Sequence, residues 1–230
     1  MRRTFKHYPV SLGYSNLEDC TTASGRTYET PHGKKYPSIT TVLGARDKGA
    51  LQEWRARVGD AEANRIGRHA STRGSALHTA VEKYIDNAEE YFAEGEMPHV
   101  KAMFRAIQPV LDSRIGKVIL QEQPLYSDHL GVAGRVDLVA EFDGKLSIVD
   151  FKTSSRVKQA KDISNYFIQT AAYAIMFEER TNIPVPQNVI IMSVENSQEP
   201  LVFVEKRDRW TLELLDIINE YNTKKLFGHA

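Results

Sequence analysis

The feature that most restricts this 230-residue chain is a pair of apolar runs, residues 134–142 and 145–152, joined by Asp143-Gly144. Val136, Leu138, Ala140 and Phe142 alternate along the first run, the period of a strand with one buried face. Asp-Gly signals a two-residue hairpin, because the favoured turn needs positive φ at both central residues. The runs therefore read as antiparallel strands, and symmetric pairing about the turn sets Asp137 opposite Asp150. Directly opposed residues lie about 4.5–5.5 Å apart at Cβ. A bulge or a longer turn would shift that register.

The return strand ends Ile148-Val149-Asp150-Phe151-Lys152-Thr153. Residues two apart face the same way, so Asp150 and Lys152 share the face of Ile148, while Val149 and Phe151 take the other. Alone, such an acid and lysine read as an ion pair at a strand end. Asp137 one hairpin upstream changes the balance. Two close carboxylates repel in a partly buried site, and a hard divalent cation, Mg²⁺ or Mn²⁺, relieves them. Lys152 beside it can orient or help deprotonate a water and stabilise developing negative charge.

The rest of the chain supplies helices before the strands and between them. Residues 1–36 lack periodicity and read as loop and short strands. Ser38 is an N-cap signal for a helix through Val42 and Leu43. Residues 48–69 are helical, and Ser71 or Thr72 caps another helix with Ala76, Leu77, Ala80, Val81, Tyr84 and Ile85 on its apolar face. Pro98 opens a helix to about Ser113. A strand over residues 118–121 ends beside Glu122, and a helix spans 160–180. Strands at 189–195 and 201–205 flank Asn196-Ser197. A last amphipathic helix begins at Asp208 or Thr211. The order is helices, three strands, a helix, two strands and a helix, which is α/β on the border of α+β. The length suits one domain, residues 1–230, mostly helical over residues 1–115 and sheet-containing over residues 116–230.

Composition removes several classes. Thirty basic residues balance thirty acidic ones, so a nonspecific coat on duplex DNA is not expected, and any nucleic-acid contact must use local patches. Residues 54–73 carry Arg55, Arg57, Arg65, Arg68 and Arg73 against Asp60 and Glu62, and residues 152–161 carry Lys152, Arg156, Lys158 and Lys161 without an acid. Taken alone, each patch is a solvated face. Cys20 is the single cysteine, which excludes an internal disulfide framework and a Cys-ligated iron–sulfur cluster or zinc site, and fits a reducing cytoplasm. No run is long enough to span a bilayer, and the basic N-terminus lacks the pattern of a targeting peptide.

Four segments in order carry a resemblance: Gly74-Ser75-Ala76-Leu77-His78, Gly134-Arg135-Val136-Asp137, Ile148-Val149-Asp150-Phe151-Lys152-Thr153 and Gln169-Thr170-Ala171-Ala172-Tyr173. Their spacing resembles the RecB-type branch of the PD-(D/E)XK nuclease superfamily over roughly residues 70–180. Each segment alone is a weak signal; the ordered set is specific. Within the branch the chain is similar to the mitochondrial genome maintenance exonucleases and their phage relatives, through residues 36–43, the Trp54 helix and the block 134–154.

The resemblance implies a restriction-endonuclease-like core, a central mixed sheet flanked by helices, with a helical N-terminal elaboration. It implies one or two Mg²⁺ or Mn²⁺ ions held by His78, Asp137, Asp150 and the Phe151 carbonyl, with Glu122 a further candidate. Lys152 would be the catalytic lysine, and Gln169 and Tyr173 would support the site and the DNA strand. Arg135 and Thr153, from the matched segments, join Arg57, Arg65, Arg68, Arg73, Arg156 and Lys158 as expected DNA contacts. On residue type alone, His78 is equally a solvated polar residue, Gln169 and Tyr173 are polar neighbours of a core, and Tyr36 and Trp54 are core aromatics. A helical Gly74 costs about 0.8–1 kcal/mol relative to Ala, which points to close packing of the His78 helix on another element.

The expected activity is metal-dependent hydrolysis of DNA phosphodiesters, on single-stranded DNA from an end, in the cytoplasm of a bacterium or a phage-infected cell. The competing expectations are a structure-specific or restriction-type endonuclease of the same fold, and a DNA-binding module that keeps the fold without cleaving.

Overall fold

The computed structural model of the protein describes residues 3–46 and 48–228. Three short strands, β1 (Glu18–Thr22), β2 (Gly25–Glu29) and β3 (Lys35–Pro37), form an antiparallel meander. Ser38 then caps α1 (Ile39–Arg46): its Oγ accepts the Thr41 N–H at 3.0 Å, closing the first turn. Helix α2 (Lys48–Val58) stops at Gly59, whose φ of 84° no helix can continue. Helix α3 (Asp60–Ile85) runs unbroken past residues 70–72. The expected cap at Ser71 or Thr72 is therefore absent; both are exposed residues inside the helix, and the break lies a dozen residues earlier. Pro98 opens α4 (Pro98–Arg114), where its missing N–H costs nothing.

The main sheet has five strands in the order β4 (Ile115–Ser127), β5 (Val132–Phe142), β6 (Lys145–Ser154), β7 (Gln187–Val194) and β8 (Leu201–Lys206). Asp143 and Gly144 both take positive φ, 52° and 76°, as the hairpin between β5 and β6 requires. The step from β6 to β7 is parallel, so the chain crosses the sheet through α5 (Ser164–Thr181). β8 returns antiparallel, and α6 (Thr211–Leu226) closes the fold. The sheet is thus mixed and flanked by helices, as expected.

Each face of the sheet has its own core. Leu77, Val81 and Tyr84 of α3 and Phe104, Ile107 and Leu111 of α4 pack on Leu138, Ala140, Val149, Phe151 and Ile191. On the opposite face, Val42 of α1, Ile168, Ala172 and Tyr173 of α5 and Leu214 and Ile217 of α6 pack on Val139 and Ile148. Both layers end near the Ser154 end of β6, where α3 and α5 approach from opposite sides. Among the described residues, no helix is long and apolar enough to cross a membrane.

Candidate active site

β5 and β6 pair from Phe142↔Lys145 to Leu138↔Val149, and there the ladder stops. The expected register holds through that last pair and carries Asp137 to the row of Asp150. The strands then part. The Phe151 N–H donates to Asp137 Oδ2 at 2.9 Å instead of to a carbonyl of β5. Beyond this point β6 stays with β7 and β5 stays with β4. A split opens between the two central strands, and the chemically active side chains gather at it.

β4 brings Glu122 to the same row, between the pairs Gln121↔Leu138 and Gln123↔Val136. The strand does not end at residue 121, as expected, but runs through Glu122 to Ser127. Glu122 takes φ 49°, a left-handed backbone uncommon for a residue with a Cβ. Here the alternation slips. Val136 packs with Val139, three residues on, and Leu138 packs on the other side of the sheet. The expected single face of Val136, Leu138, Ala140 and Phe142 therefore breaks at Asp137.

From α3, His78 enters the split. Its Nε2 lies 2.7 Å from the Phe151 carbonyl, and its Nδ1 lies 3.5 Å from Asp137 Oδ2. A carbonyl can only accept, so Nε2 carries a hydrogen, and Nδ1 is the nitrogen that faces Asp137. The ligand atoms of His78, Glu122 and Asp137 all lie within 4.8 Å of one another. A cleft of about 320 Å³ lined by Gly74, Ser75, His78, Thr79, Glu82 and Glu122 opens beside them. A Cβ at Gly74 would meet only Thr153 Oγ1, at 3.8 Å, so helix packing does not demand this glycine, contrary to expectation; it borders the cleft.

Asp150 is buried beside this group and turned to other partners. Its Oδ2 lies 2.5 Å from Lys152 Nζ, and its Oδ1 accepts from Gln169 Nε2 at 3.3 Å. Gln169 also reaches the Tyr173 hydroxyl at 3.2 Å. Tyr173 explains Gly134: a Cβ there would stand 2.8 Å from Tyr173 Cε1. Tyr166, one turn before Gln169 on α5, sets its ring 5.1 Å from Lys152 Nζ, a cation–π distance.

Charge at the split is unbalanced. Burial, then repulsion from Asp137, pushes the Glu122 carboxyl up to about 7. Burial also pushes Asp150 up to about 6 against the pull of Lys152, with Asp137 repelling. For Lys152, burial acts to lower the ammonium pKa, but Asp150 and Asp137 outweigh it and the net shift is upward. Burial, with Asp137 and Asp150 nearby, raises the Tyr173 phenol well above its ordinary value.

The structure thus brings together His78, Glu122 and Asp137, with Asp150, Lys152, Gln169 and Tyr173 alongside. Glu122 sits inside the cluster rather than at its margin. The Phe151 carbonyl, expected among the ligands, is taken by the His78 ring. Arg135 donates from Nη1 to the Glu122 carbonyl. Arg57, Arg65 and Arg68 are exposed on α2 and the first half of α3, and Arg65 forks onto Glu62 at 2.7 and 2.8 Å. Arg73 is buried and ion-paired with Glu195, so it does not stand with the exposed cations. Arg156 is exposed and Lys158 half-buried in the segment after β6. Sequence reasoning passed over Tyr166 and Glu195. Tyr166 was legible, since it shares a helix face with Gln169 and Tyr173; Glu195 lies 122 residues from Arg73 and carried no signal.

Comparison with known proteins gives the family. The family model of the PD-(D/E)XK nuclease superfamily matches residues 45–222. Mitochondrial genome maintenance exonuclease 1 of Xenopus tropicalis is 27% identical over 167 residues, covering 67% of this chain and 46% of that protein. The chain therefore spans about half the length of this relative.

Proposed function

The chain belongs to the PD-(D/E)XK nuclease superfamily, and from that premise we propose that it is a metal-dependent deoxyribonuclease acting on single-stranded DNA from an end, with residues 1–230 as one nuclease unit. The observation that carries this reading is the group His78, Glu122 and Asp137, with ligand atoms within 4.8 Å, beside the Asp150–Lys152 pair. Two carboxylates and one imidazole suit Mg²⁺ or Mn²⁺. The upward shift of Glu122 marks negative charge that a cation would neutralise. When bound, one or two such ions supply Lewis-acid polarisation of the phosphoryl group and a water of lowered pKa.

The chain's own residues do the rest. The Phe151 carbonyl fixes the His78 ring with Nδ1 towards Asp137, and the Phe151 N–H fixes Asp137. Gln169 holds one oxygen of Asp150, whose other oxygen holds Lys152. With its pKa raised, Lys152 keeps its proton at neutral pH. A positive charge there can stabilise the negative charge that builds on the phosphoryl oxygens. Asp150 stays in the reading as a ligand candidate that, in this structure, serves as counter-ion to Lys152.

Strand contacts draw support from Arg57 on α2 and Arg68 on the first half of α3, which are exposed ahead of the cleft residues Gly74 and His78 in the chain. End dependence draws support from the relative's name, which carries an exonuclease activity. The exposed Cys20 fits a reducing cytoplasm of a bacterium or an infected cell. The test uses end-labelled linear and circular single-stranded DNA with Mn²⁺ or EDTA, and Asp137→Ala as control. Linear strands should be degraded only with metal and only by the unaltered protein. Rapid cutting of circles would establish the endonuclease, and binding of DNA with no cleavage in Mn²⁺ would establish the binding module.

A further inference from the structure

Glu122 is the strained member of the cluster. Its left-handed φ of 49° is one that a β-strand residue with a Cβ adopts only when its surroundings hold it there. The strand ladder continues on both sides, through Gln121↔Leu138 and Gln123↔Val136, so the distortion is confined to the row of Glu122 and Asp137. Gln121 is anchored on α3, where its Nε2 donates to the Glu82 carbonyl at 2.9 Å. What meets the displaced Glu122 carbonyl is the guanidinium of Arg135. Arg135 lies two residues from Asp137 on β5, so one short stretch of that strand supplies both the acid next to Glu122 and the donor that holds Glu122's backbone.

We infer that Arg135 is a positioning residue for the metal centre: by holding the carbonyl of Glu122 it keeps that backbone left-handed and the carboxylate within reach of His78 and Asp137. Released from Arg135, Glu122 relaxes to an extended backbone that swings its side chain along the strand, and the cluster loses one of its three donors. The alternative role for this arginine is a direct phosphate contact, and the two roles differ in what they leave intact.

This inference rests on the metal-site reading of His78, Glu122 and Asp137, and the experiment separates the two. Mn²⁺ binding is measured by calorimetry and by the electron paramagnetic resonance spectrum of the bound ion, without DNA. The proteins are the unaltered chain, Arg135→Met, Arg135→Lys and His78→Ala. Loss of a group that orients a ligand weakens metal binding by about 10- to 100-fold. Arg135→Met should fall in that range, with a changed spectrum. Arg135→Lys, which keeps one donor on a similar stem, should recover most of the loss. Single-stranded DNA binding in EDTA, read by fluorescence anisotropy, should change less than about twofold, whereas a phosphate contact costs affinity there. Mn²⁺ affinity unchanged in Arg135→Met, in a protein that His78→Ala does weaken, overturns the positioning role and leaves the metal site standing. If Arg135→Met does not fold, Arg135→Lys decides: binding and spectrum as poor as those of His78→Ala would show that the guanidinium fork is doing something other than holding one carbonyl. An unaltered protein that binds no Mn²⁺ overturns both readings.

Discussion

Lys152 and Asp150 show how burial changes what a charged pair is for. Lys152 keeps about a fifth of its side chain exposed and Asp150 almost none. Removing one partner of such a pair leaves the other charge without compensation, at about 3–5 kcal/mol. Lys152→Met should therefore abolish turnover and also destabilise the protein by about that much at pH 8. At pH 5 the deficit should shrink, because Asp150, already pushed up to about 6, takes a proton and becomes neutral. Urea unfolding of both proteins at the two pH values measures it; an equal deficit at both would contradict the buried-carboxylate account. Glu122 carries a second pH signature. Its pKa rises from 4.5 to about 7 in the fold, so the folded state binds more protons than the unfolded one across that window. Stability without metal should fall as pH rises from about 5 to 7, by at most about 1.4 kcal/mol per pH unit for each such group. Melting in EDTA should show that fall, and Glu122→Gln should flatten it. Mn²⁺ needs the deprotonated carboxylate, so its affinity should drop up to about tenfold per pH unit below 7.

At the scale of the element, the glycine of β5 and the tyrosine of α5 are two halves of one contact. Gly134 lets α5 settle until the Tyr173 ring lies where a Cβ would be, at 2.8 Å, with Ile39 of α1 at 3.4 Å behind it. Gly134→Ala should cost about 1–3 kcal/mol as overpacking and displace Gln169 with Tyr173. Tyr173→Leu should lose less in the Gly134→Ala background than alone, and a double-mutant cycle by denaturant melting reads that coupling. Sequence made this region legible because its signals are local. Asp143-Gly144 specified the turn, alternation specified β5 from Leu138 to Phe142, and Ser38 specified the start of α1. Glu122 was illegible in its main respect, since glutamate gives no warning of a left-handed backbone, and its position follows from Arg135 across the sheet. The helix break was misplaced because Ser71 and Thr72 have the chemistry of caps, whereas Gly59 is one glycine in a polar stretch and its φ depends on how α2 and α3 pack. Arg73 looked like its neighbours in the arginine-rich segment; only the fold sets Glu195 against it.

Across the whole molecule, thirty positive and thirty negative charges cancel, so DNA binding cannot come from net charge and must come from where the cations stand. Arg68 precedes His78 by ten residues on the unbroken α3, about 15 Å along its axis at 1.5 Å per residue. It and Arg57 are exposed, while Arg65 is held by Glu62 and Arg73 by Glu195. The segment thus contains two kinds of arginine that sequence alone does not separate, and they should answer differently to the same substitution. For single strands the salt slope of log affinity is about −0.7 per phosphate neutralised. Arg57→Ala with Arg68→Ala should therefore flatten the slope by about 1.4 and weaken binding at low salt, while leaving the melting temperature within a degree or two. Arg73→Met should do the reverse. It leaves Glu195 without its partner and loosens α3 from the end of β7, so the melting temperature should fall by several degrees with little change in salt slope. Salt titrations of fluorescent single-stranded DNA in EDTA, paired with thermal melts of the same proteins, distinguish the two. Equal slopes in the unaltered and doubly substituted proteins would remove α2 and the first half of α3 from the path of the strand.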